Sequence, residues 1–578
     1  MEDVLGNFER GVAPGSRWAN GLEFGASRGR AGLASGLVAV AMGLPSLALA
    51  FTSADPLRVD VLALRNCAPI CVAQFGAIVD DGLDDTEAIQ AAVDAAVAQG
   101  GGEVLFLPGT YEISSVDVEA GLILEGKGTV LHKVEQAGKW ARTFTTQNAL
   151  WAEIGDSRPL VFRGLSFDGN RQNQGPYRAY ELEQQHAIFL AADGPGRLVA
   201  MVEDCHFRDG VADAISVYTN VSATISRCSA TDVFRGGITV TGGNTTVQVT
   251  DFRSGGEVHA TGVDVEVDGL GYGGSKQVWM TMDGVLLEGD FDVALSEGST
   301  FLGNNIRSYP GPFTLNGRDS RVRISNSVFG VGKTLGSSNR VVYPHDVSLS
   351  DCTFVPVPGD TVPAGTSIDA LNIYFNTSMS GLTGQRMRLT DCIFVAGAEV
   401  EPEDRVTAIR LQAVATGDDN RLMIRGGDIG AGFDYGVWIQ QGGVVDIRDV
   451  AIDADTALFL GSSTGYALEA TVDGVRVGPS VSLFEFINTH QTENLFSHRN
   501  ILLDSSQNSL GTRYGLANNR YWGRRVIEGE IEPLETPGLR GDLYRLRTPV
   551  VGEVWEWTCT SPHQSRATWE PVSRIAIR

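Results

Sequence analysis

The 578-residue sequence predicts an all-β fold, a right-handed parallel β-helix (a solenoid of stacked coils) with an N-terminal capping helix. Three observations carry this. A phrase of the form apolar-x-(Asp/Asn/Gly)-x-x-apolar recurs as 162-FRGLSF-167, 202-VEDCHF-207, 324-ISNSVF-329, 349-LSDCTF-354, 389-LTDCIF-394, 424-IRGGDI-429, 447-IRDVAI-452 and 472-VDGVRV-477, with looser copies at 225 and 249, and close copies lie 23 or 25 residues apart. A second phrase, a small residue and then alternating apolars, follows most copies, as in 213-DAISV-217, 236-GGITV-240, 369-DALNI-373 and 407-TAIRL-411. Period-2 alternation gives strands with one face in and one face out, and two or three such strands per unit describe a coil. The third observation is a single amphipathic helix ahead of the repeats.

That helix is expected over residues 86–98. Asp84 or Asp85 can cap it, Glu87 suits its first turn, and Ala88, Ile89, Ala92, Val93, Ala96 and Val97 share one stripe. Gly100, Gly101 and Gly102 end it, and Val104 to Leu107 form a strand that Pro108 and Gly109 stop. A solenoid exposes an apolar cross-section at each end, so the helix is read as the cover of the first coil.

The other features are read against the repeat. Cys205, Cys228, Cys352 and Cys392 share one slot of the first phrase and are expected as a buried column of small hydrophobes. The spacing of the seven cysteines matches no zinc site, so neither metal nor cofactor is expected. A formal charge of −25 excludes nucleic acid as a partner, because phosphate binding needs a basic surface. Residues 31–51 are apolar and uncharged, and three readings stay open: a docking segment, a signal peptide ending near Ala48-Leu49-Ala50, or a membrane span weakened by Pro45. The expected divisions are 1–56 for docking, 57–130 for entry and cap, 131–500 for the β-helix and 501–578 for a C-terminal β-module.

The pattern FGA-x-x-DDG-x-DDT-x-AIQ-A from Phe75, followed by a glycine run, a strand and PxGTY, resembles the entry motif of the pectate-lyase-like β-helix superfamily. That superfamily holds polygalacturonases, polysaccharide lyases, epimerases and bacteriophage tailspikes. The stretch 541–575, with Trp557, Cys559, Thr560, Thr568 and Trp569, is similar to a short β-module closing phage tail-fibre and tailspike chains. The resemblance implies a tailspike-like virion protein, a homotrimer joined to other tail proteins through its N-terminal segment, that binds and depolymerises a host surface polysaccharide. A non-enzymatic spike and a secreted polysaccharide-modifying enzyme are the alternatives. Polygalacturonase signatures are missing, and no basic residue with acidic calcium ligands marks a lyase, so hydrolysis is favoured over elimination. The tetrapeptide 343-YPHD-346 resembles the core of mannuronan epimerases but lacks their preceding Asp and is read as coincidence.

Strand parity points to a site. With Ile215 and Val217 inward, one outward column runs through Phe189, Ser216/Tyr218, Thr239, Asp264/Glu266, Asn372/Tyr374, Arg410/Gln412, Trp438/Gln440 and Phe459, above a floor of small residues such as Ala214 and Ala370. Aromatics with amides and hydroxyls suit a sugar chain, so Tyr218, Asn372, Tyr374, Arg410 and Trp438 are the expected binding residues. Asp264 and Glu266 are the expected catalytic pair, because glycoside hydrolysis uses two carboxylates with one kept protonated. Asp268, Asp283, Asp213 and Asp209 are further candidates, and Asp168 is assigned to an Asx-turn.

Overall fold

Short strands of alternating burial stack in parallel register through the computed structural model, so the predicted parallel β-helix is the observed fold. The structure describes residues 70–574 apart from 147–157, 176–181, 193–195, 257–260, 289, 310–312, 318, 332–338, 357–366, 376–383, 398–404, 414–419, 440–442, 463–467, 482, 489–493, 505–510, 515–518, 534–535, 537–541, 549–553 and 562–566. The expected docking segment 1–56 lies outside the described residues, and Val61–Arg578 form one compact unit.

Each coil contributes three strands. The first stack contains Val221–Ser226, Thr245–Thr250, Arg321–Ser325 and Asp346–Ser350, and the second contains Ser229–Thr231, Val328–Val331 and Thr353–Pro356. The third is a separate sheet of 15 strands among the described residues, including Asp213–Val217, Gly236–Gly242, Thr261–Gly269 and Asp290–Ala294. The apolar side chains of all three stacks point inward and make one continuous core. Phe291, Phe313, Phe329, Phe354 and Phe394 stack coil on coil within it, at 4.7–5.5 Å between successive rings.

The first phrase marks the corner between the first and second stacks. Its third residue is left-handed in every copy, with φ between 50° and 69° at Asp204, Arg227, Asp251, Asn326, Asp351, Asp391, Gly426, Asp449 and Gly474. Asp, Asn and Gly tolerate this conformation, so the slot is written in those letters, with Arg227 the departure. Arg227 is held by paired hydrogen bonds from its Nε and Nη2 to the Asp204 carboxylate one coil earlier, at 2.7 and 2.9 Å. Where glycine fills the slot, a Cβ would strike the carboxylate of the aspartate beneath, Asp391 under Gly426 and Asp449 under Gly474. The next position lies close to the backbone carbonyl two residues before it. Cys228 Sγ donates to Ser226 O at 3.2 Å and Cys352 Sγ to Ser350 O at 3.3 Å, while Ser327 plays the same part in the coil before Cys352. The thiol column is therefore buried as expected, with a weak donor role added.

The helix occupies Thr86–Ala98 as predicted and buries Ile89, Ala92, Val93 and Ala96 on the first coil. Asp84 accepts from the Thr86 backbone N–H at 2.9 Å, whereas Asp85 accepts from Ile78 N–H and folds the entry loop back. Asp80 exchanges bonds with Thr110, through Oδ1 at 2.9 Å and its own N–H, so the acidic motif and the PxGTY segment form one clasp. The first strand after the helix is Gly102–Leu105, two residues earlier than expected. Gly102 N–H already pairs with Gly121 O, and Phe106 and Leu107 instead lead into the turn before Pro108. Gly101 has φ of +100° and no room for a Cβ against Gly121 O, which explains why glycine follows the helix.

Parallel pairing continues past the expected limit of residue 500, from Asn494–Asp504 to Asn519–Gly529 and on to Leu543–Leu546. It then turns antiparallel through Val554–Ser561 and Thr568–Arg574, the predicted C-terminal β-module, where Trp557 and Trp569 pack edge-on against Tyr544.

Gly474→Ala should lower the unfolding free energy by about 1–2 kcal/mol, since the left-handed slot penalises a Cβ. Adding Asp449→Gly should recover part of that loss by removing the clash beneath. Denaturant titration of the single and double variants measures both effects.

Candidate active site

The third stack carries the outward column in strict register. Ser216 pairs with Phe189 on one side and Thr239 on the other, Thr239 with Asp264, and Asp264 with Asp292. The line continues through Thr314, Arg340, Asn372, Arg410 and Trp438 to Phe459. Parallel strands lie about 4.8 Å apart, so Asn372 is four intervals, or about 19 Å, from Asp264. Asp292, Thr314 and Arg340 were not picked out by the sequence reading, because 290-DFDVA-294, 313-FTLN-316 and 339-NRVV-342 lack the small opening residue. Their apolar alternation is intact and was the available signal.

The small residues do not form a floor. Ala214, Ala370, Ala408 and Ala457 are fully buried and belong to the core together with the apolar residue after each, and the strand pairings skip Ala214 and Ala370. The residue before the small one joins the site instead: the Asp213 charge acts on Asp264, and Asp369 meets Asn372 and Arg410.

An acidic cluster forms around Asp264. Its carboxyl is pushed up to about 8 by burial, then by the charges of Asp292, Glu266 and Asp213, with Arg235 opposing. Burial and the Asp292 charge raise Asp290 to about 6, and burial raises Asp292. Asp213 behaves oppositely. Burial alone would raise it, but the Arg235 guanidinium and the His186 ring, 3.7 and 3.1 Å away, hold it below the ordinary carboxylate range. His186 is itself kept low, chiefly by burial. The site thus sorts its carboxyls into one that keeps a proton at neutral pH and one locked ionised.

Aromatic and cationic groups flank the acids. Toward the cap, Phe189 stacks between His186 and Tyr218 at 5.6 and 6.0 Å, and Arg142 lies 3.6 Å from the Phe189 ring centre. Trp140, 62 % exposed, stands beyond with Lys139 and Arg142 over its ring. In the other direction Asn372 donates to Asp369 at 2.8 Å and to the Tyr374 hydroxyl at 3.1 Å, and Arg410 contacts Asp369 at 3.4 Å while covering Trp438 at 4.7 Å. Trp438 Nε1 and Asn372 Oδ1 are buried with no hydrogen-bond partner among the described residues. Phe459 packs edge-on against Trp438 and Tyr435 of its own chain instead of standing clear as an outer apolar residue.

The structure therefore gathers Asp264, Glu266 and Asp213 in one cluster, with Tyr218 beside it, and Asn372, Tyr374, Arg410 and Trp438 in a second. Asp283 is corrected out of the site, since it lies on the first stack and accepts from Asn304 at 2.8 Å. Asp209 is likewise elsewhere, paired with Arg171. The side chain of Asp268 lies outside the described residues. Asp168 makes the expected Asx-turn, accepting from Asn170 N–H at 3.0 Å. Asp346 of the YPHD stretch is bound by Arg323 at 2.6 Å on the first stack. Among the described residues no three His, Cys, Asp or Glu side chains converge as metal ligands would.

No family model matches the chain. Over 112 residues it is 32 % identical to the mannuronan C5-epimerase AlgE3 of Azotobacter vinelandii, a match covering 18 % of this chain and 6 % of that relative. Among solved structures it is similar to the A-module of the Azotobacter vinelandii mannuronan C-5 epimerase AlgE4, at 17 % identity and a TM-score of 0.36 over 67 % of this chain and 96 % of that one. It is also similar to the catalytic unit of a thermostable GH87 α-1,3-glucanase from Streptomyces thermodiastaticus, at 14 % identity and a TM-score of 0.35 over 79 % and 69 % of the two chains.

Asp264 should leave a mark on stability. Its folded carboxyl, raised to about 8, retains a proton that the unfolded chain releases above about pH 4, so its contribution falls as pH rises between those values. Asp264→Asn cannot ionise. Its melting temperature should exceed that of the wild type at pH 7–8, with the difference vanishing near pH 4, as calorimetry across that range would record.

Proposed function

We propose that the third stack holds a polysaccharide along the coil axis and that the cluster around Asp264 hydrolyses it. The observation carrying this reading is the in-register pair Asp264 and Asp292 on neighbouring strands, with the Asp264 carboxyl raised to about 8. Asp264 donates its proton to the glycosidic oxygen, and Asp292 serves as the ionised partner on the sugar side. Glu266, the partner expected from sequence, helps keep Asp264 protonated through its charge. The likeness of part of the chain to a protein named as a mannuronan C5-epimerase supports a polysaccharide as the substrate class.

Asp264→Asn and Asp292→Asn should each lower depolymerisation by about 10²–10⁴, with binding retained. Glu266→Gln should move the alkaline limb of the pH–rate profile to lower pH. Trp438→Ala should weaken binding by about 1–3 kcal/mol. New reducing ends from host polysaccharide and affinity electrophoresis are the readouts. Wild-type rates in both Asn variants would sink the assignment, and binding without product would make the protein an adhesin. Epimerisation, favoured by the 32 % identical stretch, would change sugar stereochemistry by NMR without new ends.

The cellular setting we propose is the virion tail, with a secreted enzyme as the alternative. It is supported by the aromatic module at Leu543–Arg574, which resembles those closing tailspike chains, and by the apolar N-terminal segment. Deleting residues 1–56 should leave a folded β-helix that no longer joins the particle, and incorporation at normal copy number would refute this. The full chain should run as a trimer, with a native mass three times 61.7 kDa.

A further inference from the structure

A trough of about 420 Å³ opens on the outer side of the first stack, on a different sheet from the acidic column. Short side chains make its bed. Thr250, Asp283, Asn304, Ser325 and Ser350 stand in register on five successive coils, which at about 4.8 Å per coil span about 19 Å. The polar groups are already tied together. Asn304 donates to Asp283 at 2.8 Å, and its carbonyl accepts from Ser325 at 3.1 Å and Asn326 at 2.9 Å. Arg323 lines the trough and bonds Asp346 at 2.6 Å, a carboxylate that Arg321 and Arg388 also approach, at 3.7 and 3.8 Å. Trp279, 50 % exposed, sits two residues before Thr281 on the strand that supplies Asp283.

We infer that this trough is a second saccharide-binding site, without chemistry of its own, for an uncharged, hydroxyl-rich chain. An exposed indole supplies a ring face, and the fixed amide and hydroxyls supply donors and acceptors at coil spacing. Because the ladder is held by its own hydrogen bonds, little side-chain freedom is lost on binding. The exposed carboxylate of Asp283 stands in the middle of the polar ladder and repels anionic sugars there, so the ligand is an uncharged chain. Nothing in this assignment depends on hydrolysis at Asp264.

Affinity electrophoresis of the full chain in native gels containing dextran, mannan or arabinogalactan tests it. The wild type should be retarded in at least one of these neutral gels. Trp279→Ala and Asn304→Ala should each raise the apparent Kd about tenfold or more. Ser348→Trp, which fills the trough without removing a contact, should do the same, with melting temperatures confirming that all three variants fold. Asp264→Asn should be retarded as the wild type is. Absence of retardation in every neutral gel would overturn the inference. So would retardation that Trp438→Ala abolishes while the trough variants leave it unchanged.

Discussion

One residue per coil held in the left-handed region is the constraint on which the rest depends. At that corner the chain leaves the first stack and enters the second without spending a loop, so consecutive coils superimpose. Superposition puts like positions above one another, and everything else follows: the phenylalanine stack, the thiol column and the outward line that carries Asp264. The corner is narrow enough that neighbouring coils constrain each other. A carboxylate beneath the glycine of the next coil, or beneath a guanidinium that turns back to meet it, couples residues 23 or more positions apart in sequence.

That coupling explains how much was legible beforehand. The corner demands Asp, Asn or Gly and a strand demands alternation, and both demands are written in residue types, so the coil and its inward face could be read directly. The helix over 86–98 was legible for the same reason, through its stripe and the glycines after it. What escaped were features set by neighbours in space. Asp292 sits in a coil whose opening letter differs, and only the register reveals it beside Asp264. Asp213 was already a candidate, but its fixed charge comes from Arg235 and His186, which the strand pattern does not reveal. Asp283 looked near in sequence and lies on another face, because the corner at Gly284 separates its strand from the third stack.

Electrostatics in the groove obey the same geometry. Parallel register forces outward acids on successive coils into proximity, and half-burial denies them water, so they cannot all ionise. The proton that remains on Asp264 is held first by burial and then by like charges stacked at the spacing of a sheet. Asp213 escapes because Arg235 and His186 reach it from flanking segments. A chain with a net charge of −25 thereby holds both a proton donor and a fixed anion within one small region.

The coil pitch also acts as a ruler. Between Asp264 and Trp438 lie six strand intervals, each the product of one turn of the chain, and none of the residues in between must change identity for that distance to change. Loss or duplication of a whole coil would shift the aromatic end by one pitch while leaving the corner, the core stack and the acidic cluster intact. In such a protein the length of the groove is counted in turns of the backbone, and it can be retuned without redesigning either end.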